Sequence, residues 1–137
     1  MRERAVIGTF LEGHANLPAN LARLLAAAPH SFQNLTLGQL AHAVRGLRER
    51  DASVNPVTLL AAIGVQHPGA LMLGQLPDEA LPVDAAEDEA GKLVAAWRKR
   101  QALDTLRIAA EDLEREPEAA CIVIRNAVDS LTELQAA

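Results

Sequence analysis

Side chains that could do chemistry are few in this chain and lie far apart. The only Gly-Lys pair, Gly91-Lys92, is followed by Leu93. A phosphate-binding loop needs Ser or Thr at that place to reach a metal ion, and a glycine-rich lead whose backbone N–H groups cradle the phosphates. The histidines His14, His30, His42 and His67 form no i, i+4 pair and no H-E-x-x-H arrangement, the spacing that sets two imidazoles on one helix face for zinc. A lone cysteine, Cys121, can neither close an intrachain disulfide nor found a thiolate metal site. Its neighbours Ala119, Ala120, Ile122 and Val123 mark it as a small core residue rather than a nucleophile. Asp78, Glu79, Asp84, Glu87, Asp88 and Glu89 crowd one segment, where they suit the positive start of a helix and a solvated face better than a metal ion. The sequence therefore predicts no catalytic, cofactor-binding or metal-binding residue, and no enzyme activity for this chain.

One constellation is left. Trp97-Arg98-Lys99-Arg100 sets an aromatic ring beside three cations, which can stack a base and hold a phosphate, or can simply cover a core tryptophan. The flanking sequence is acidic and the whole chain carries a net charge of −5, so nucleic acid is expected to be met only indirectly. A small helical nucleic-acid-binding module stays open as an alternative. The charge is uneven: in residues 1–52 six arginines face four carboxylates, a net +2, which leaves −7 for the remainder. Such polarity suits docking to a protein of opposite sign, or is no more than a solvated surface.

The elements that would carry these residues read as helices throughout. Half of the 137 residues are apolar but only 2% are aromatic, so Leu, Ala, Val and Ile must build the core, a composition that favours packed helices over sheets. Val6, Ile7, Phe10 and Leu11 share a face of a first helix over Glu3 to Leu11, with Gly8 where another element can approach closely, and Gly13-His14 ends it. A second helix restarts at Pro18 and stops at about Ala28, before Pro29. Leu37, Leu40, Ala41, Val44 and Leu47 form the clearest buried stripe, capped by Asn34 or Thr36. Asn55-Pro56 opens a fourth helix that runs to Gly64. Ala70 to Leu76 has room for about two helical turns, and Pro77 to Pro82 reads as a linker.

Ala85 to about Glu114 is the longest helix, with Ala96, Leu103, Leu106, Ala110 and Leu113 along one side and Leu93, Trp97 and Ile108 on another. Glu116-Pro117 breaks it, and the last helix carries Ile124, Ala127, Val128, Leu131 and Leu134 on one stripe. The expected fold is all-α: a compact helical bundle with a C-terminal antiparallel helical hairpin. Residues 1–82 form an N-terminal helical subdomain and residues 83–137 the hairpin of the same domain. No stretch approaches the roughly 18 uninterrupted apolar residues of a membrane span. The lack of a signal-type start after Met1-Arg2-Glu3-Arg4 and the single cysteine point to the cytoplasm.

With this plan in view, the chain resembles the N-terminal domain of bacterial replicative DNA helicases of the DnaB family. Glu3-Arg4-Ala5-Val6-Ile7-Gly8-Thr9-Phe10-Leu11 is similar to that family's first helix. Phe32, the helix with Leu40, Ala43, Val44 and Leu47, and then Val54-Asn55-Pro56-Val57-Thr58-Leu59 resemble its pattern in order and approximate spacing. Lys92-Leu93-Val94 with the basic stretch after it resembles the start of its long hairpin. The chain departs from the family at Leu37-Gly38 and Ala41, at Asn55 in place of an Asp before Pro, and at Glu89-Ala90 in place of paired tyrosines, as in a divergent or phage-type member. The resemblance implies a non-catalytic assembly domain that self-associates through its hairpin into a collar and docks primase. The ATP-dependent motor would lie on another domain. The helicase-binding C-terminal domain of bacterial primase, which has a related fold, is the alternative, with helicase as partner. On either reading the partner surface is expected on the hairpin, at Trp97, Arg100, Leu103, Arg107, Ile124, Val128 and Leu131.

Overall fold

The computed structural model describes residues 2–136; Met1 and Ala137, the outer ends of the two expected subdomains, lie outside the described residues. Among these there are six α-helices and no strand. The chain divides into two compact units, one up to Val94 and one from Ala95 onward, and the division falls inside a helix.

In the first unit α1 (Arg2–Phe10), α2 (Ala19–Ala26), α3 (Leu35–Glu49) and α4 (Pro56–Ile63) are followed by two short 3-10 turns, Ala70–Met72 and Leu76–Glu79. α5 (Val83–Arg115) then begins. The sequence punctuation works locally as physics demands. Asn34 accepts a hydrogen bond from Leu37 N at 3.0 Å and caps α3. Asn55 and Thr58 form a reciprocal capping box with Pro56 in the first turn of α4. After α1 the chain turns at Gly13, whose φ of +74° costs glycine nothing. α2 stops at Ala26, two residues short of the expected end, because a turn closes through Ala28 before Pro29.

The stripe of α3 is buried in full, from Leu37 through Leu40, Ala41 and Val44 to Leu47, against Val6 and Ile7 of α1, Leu21 and Leu24 of α2 and Leu59 of α4. Ala86, Ala90 and Val94, one face of the first turns of α5, complete this core.

The segment before α5 corrects the sequence reading. Residues 70–76 form no two-turn helix, and 77–82 is no free linker. The turn Leu76–Glu79 packs on α1 with Leu76 fully buried. Thr9, also fully buried, donates to Leu81 O at 3.0 Å and accepts from Leu81 N at 3.1 Å. Arg4 grips Glu79 with Nε and Nη2, the shortest contact 2.6 Å. Tertiary contacts, not local periodicity, hold this stretch.

Asp84 of the acidic cluster stands in the first turn of the helix it opens, but Glu87 serves another helix. Glu87, in the second turn of α5, accepts from Asn20 N and Leu21 N at 3.0 and 2.8 Å. These belong to the first turn of α2, whose own N-cap, Pro18, offers no side-chain acceptor. Glu3 acts likewise, accepting from Gln33 N and Asn34 N at 2.7 and 3.0 Å just ahead of α3.

In the second unit the rest of α5, a 3-10 turn at Pro117–Ala119 and α6 (Ala120–Ala136) make the hairpin. None of its described residues is fully buried.

Candidate partner-docking surface

The hairpin turns because Pro117 cannot continue α5, and the 3-10 turn Pro117–Ala119 reverses the chain. Its seam is lined by small, polar and β-branched side chains. Thr105, Ile108, Ala109 and Asp112 of α5 and Val123, Asn126, Ala127 and Ser130 of α6 border an open groove of about 200 Å³ between the helices.

This placement revises the expected stripes. Of the α5 residues that share one side in the sequence, Ala96 and Ala110 are exposed, Leu103 and Leu106 are 57% and 52% exposed, and Leu113 is half-buried. On α6, Ile124 and Val128 are each 54% exposed, while Ala127, Leu131 and Leu134 are half-buried. Cys121, expected in the core, is exposed, as is its neighbour Ile122. With Thr105, Ala109, Val123 and Ala127 half-buried along the seam, Leu103, Leu106, Ile124 and Val128 are left to face outward.

A helical projection at about 100° per residue shows where they go. Taking the groove residues as the inward side of each helix, Leu103, Leu106 and Ala110 of α5 and Ile124, Val128 and Leu131 of α6 fall on the same side of the antiparallel pair. The hairpin thus carries an aliphatic side that flanks the groove between its helices, where Asp112, Asn126 and Ser130 lie.

Of the residues expected at the partner surface, Leu103, Ile124 and Val128 are exposed and, with the half-buried Leu131, project to the aliphatic side. Arg100 and Arg107 project elsewhere, seven residues apart on another stripe of α5. Arg107 is bound to its own helix, donating to Asp104 at 3.3 Å and Glu111 at 3.0 Å, bonds that hold its pKa above the ordinary arginine value. Trp97 is half-buried, and its enclosed indole N–H finds no hydrogen-bond partner among the described residues. Leu106, which shares a side of the helix with Leu103 in the sequence, belongs to this face but is not among the residues expected at the partner surface; its i+3 spacing from Leu103 is the available signal.

The other chemical candidates serve local structure. His42 Nδ1 meets Arg45 Nη2 at 2.8 Å, His67 Nδ1 accepts from Gly69 N at 2.9 Å, and His14 lies 3.6 Å from Glu12. Among the described residues no group of three or more His, Cys, Asp or Glu is placed to hold a metal ion. No helix there is long and apolar enough to cross a membrane.

No family model matches the chain, and no curated protein matches it. Among solved structures it is similar to a DnaB-like replicative helicase described together with its interactions with primase, at 18% sequence identity and a TM-score of 0.70. That likeness covers 97% of this chain and 31% of the helicase chain. The chain therefore has the all-helical fold of a segment that makes up about a third of a DnaB-like replicative helicase.

Proposed function

We propose that this chain is a non-catalytic assembly and protein-interaction module of a DnaB-type replicative DNA helicase, which builds a collar through its hairpin and docks primase in the cytoplasm. The likeness in fold over 97% of the chain carries this reading. It is supported by the aliphatic face, where Leu103, Leu106, Ile124 and Val128 are each more than half exposed. Covering what remains exposed of each side chain contributes roughly 1 kcal/mol. Summed over both copies of a symmetric pair, that is about 8 kcal/mol, set against a cost of association of about 4–15 kcal/mol. The face is therefore suited to a weak pair that further contacts consolidate. Contact is the whole mechanism, and the strand-separating motor lies on a separate domain.

The test is binding of cognate primase and of the helicase motor domain, each titrated against the chain. Binding of primase is the expected result. Binding of the motor domain alone would transfer the chain to the primase side of the same contact. No binding to either, from a protein that stays monomeric at high concentration, would refute the assembly role.

A further inference from the structure

A second surface lies in the first unit, where α2 and α3 run side by side. Leu17 and Leu25 floor an open groove of about 330 Å³, with Ala22 and Ala26 on one wall and Arg45, Arg48 and Glu49 on the other. Main-chain carbonyls hold both arginines in place without neutralising them. Arg45 donates to Ala26 O at 2.6 Å, and Arg48 donates to His14 O and Ala15 O at 2.8 and 3.1 Å. The one carboxylate lining this groove is the exposed Glu49, 3.8 Å from Arg45 Nε, while Asp51 borders a separate cavity with Arg48. Two fixed guanidiniums over an aliphatic floor, with spare N–H donors and little counter-charge, suit an occupant that carries several carboxylates next to small apolar residues.

The chain itself carries such a segment. From 111 to 118 the hairpin turn holds Glu111, Asp112, Glu114, Glu116 and Glu118 against the single Arg115, followed by Ala119 and Ala120. Glu114, Glu116 and Glu118 are exposed and make no ion pair among the described residues. We infer that the α2/α3 groove of one copy receives the hairpin turn of a second copy, with Arg45 and Arg48 meeting Glu114, Glu116 and Glu118. Charge complementarity within one sequence selects this occupant over an unrelated acidic protein.

The contact is heterologous. Each copy offers one groove and one turn, so the contact repeats from copy to copy and closes into a ring where the rotation permits. The aliphatic face, by contrast, pairs copies two by two. The inference rests on the assembly reading above and supplies the further contact that a weak pair needs.

The test is sedimentation velocity of the full chain at low salt over a concentration series. The wild type is expected to pass beyond a dimer, with the larger species weakened by salt. Arg45→Glu, and separately Glu114→Arg with Glu116→Arg, are expected to weaken those species by about tenfold or more while leaving the dimer. Combining all three substitutions in one chain restores them. Since the combined variant also lacks the Arg45 bond to Ala26, restoration cannot come from a repaired fold. A wild type that never exceeds a dimer, reversed charges without effect, or a combined variant that fails to recover would each overturn the inference. Ile124→Asp reads the other contact: it removes two-by-two pairing and spares the salt-sensitive association, so failure of the collar reading and failure of this one are told apart.

Discussion

Replacing Gly8 with alanine adds one methyl group where the main chain leaves no space. A Cβ at Gly8 would stand 2.3 Å from the Leu76 carbonyl oxygen and 2.9 Å from Ala80 N. Both atoms belong to the backbone, so neither can rotate aside. Either α1 or the turn Leu76–Glu79 must move, loosening the Thr9–Leu81 hydrogen bonds and the Arg4–Glu79 pair. Overpacking of this kind costs about 1–3 kcal/mol. It acts against the gain of about 1 kcal/mol that alanine brings over glycine inside a helix. Gly46 in α3 isolates that gain, because a Cβ there would meet nothing within 4 Å. Gly46→Ala is therefore expected to stabilise the protein by about 0.5–1 kcal/mol. Gly8→Ala is expected to destabilise it by up to about 2 kcal/mol after the helix gain is subtracted. Urea unfolding of the two variants and the wild type measures both terms, and thermal midpoints should separate by roughly 2–12 °C. A Gly8→Ala protein as stable as Gly46→Ala would refute the close packing of the turn on α1.

Three other outcomes follow from the same contacts. Glu87→Ala removes the acceptor of two N–H groups at the start of α2 and is expected to cost about 1–2 kcal/mol in urea unfolding, with Glu87→Gln, which keeps one oxygen, costing less; an unchanged midpoint for Glu87→Ala would exclude that cap. The hydrogen bond from Arg4 holds the Glu79 carboxyl below the ordinary value of 4.5. A carboxyl whose pKa is lowered on folding stabilises fully above 4.5 and loses that contribution as pH falls through the lower folded value. Glu79→Gln should thus flatten part of the acid-side fall in Tm, and an unaltered slope would contradict the pairing. Exposed Cys121 should react with a thiol reagent in the native protein at the rate of the unfolded chain, whereas a protected thiol in the dilute monomer would restore the core assignment.

Much of the first unit is legible in the sequence because its signals are local. The α3 stripe repeats at helical spacing and is buried at every position named, and Asn34, Asn55-Pro56 and Gly13 act where their backbone chemistry puts them. Residues 70–82 are not legible, since 3-10 turns show no apolar period and are held by partners some seventy residues away, such as Thr9 to Leu81. The same holds for Glu87, whose neighbours suggest a cap for its own helix while its carboxylate serves α2. On the hairpin, periodicity reveals an aliphatic stripe on each helix but not what covers it. Thr105, Ala109, Val123 and Ala127 occupy the seam of this hairpin, while Leu103, Leu106, Ile124 and Val128 are turned outward, and Cys121 with them. Four of the seven residues expected at the partner surface share that face, the four that are aliphatic; Trp97, Arg100 and Arg107 do not.

The central claim, that this hairpin exists to hold other proteins, is tested most directly by sedimentation equilibrium of the wild type beside Ile124→Asp with Val128→Asp, from micromolar to millimolar concentration. The account predicts that the wild type self-associates across this range, and that the double variant, with unchanged helical circular dichroism, remains a monomer or keeps only salt-sensitive association. A wild type that is strictly monomeric throughout, or a double variant that pairs as the wild type does at high salt, would contradict it.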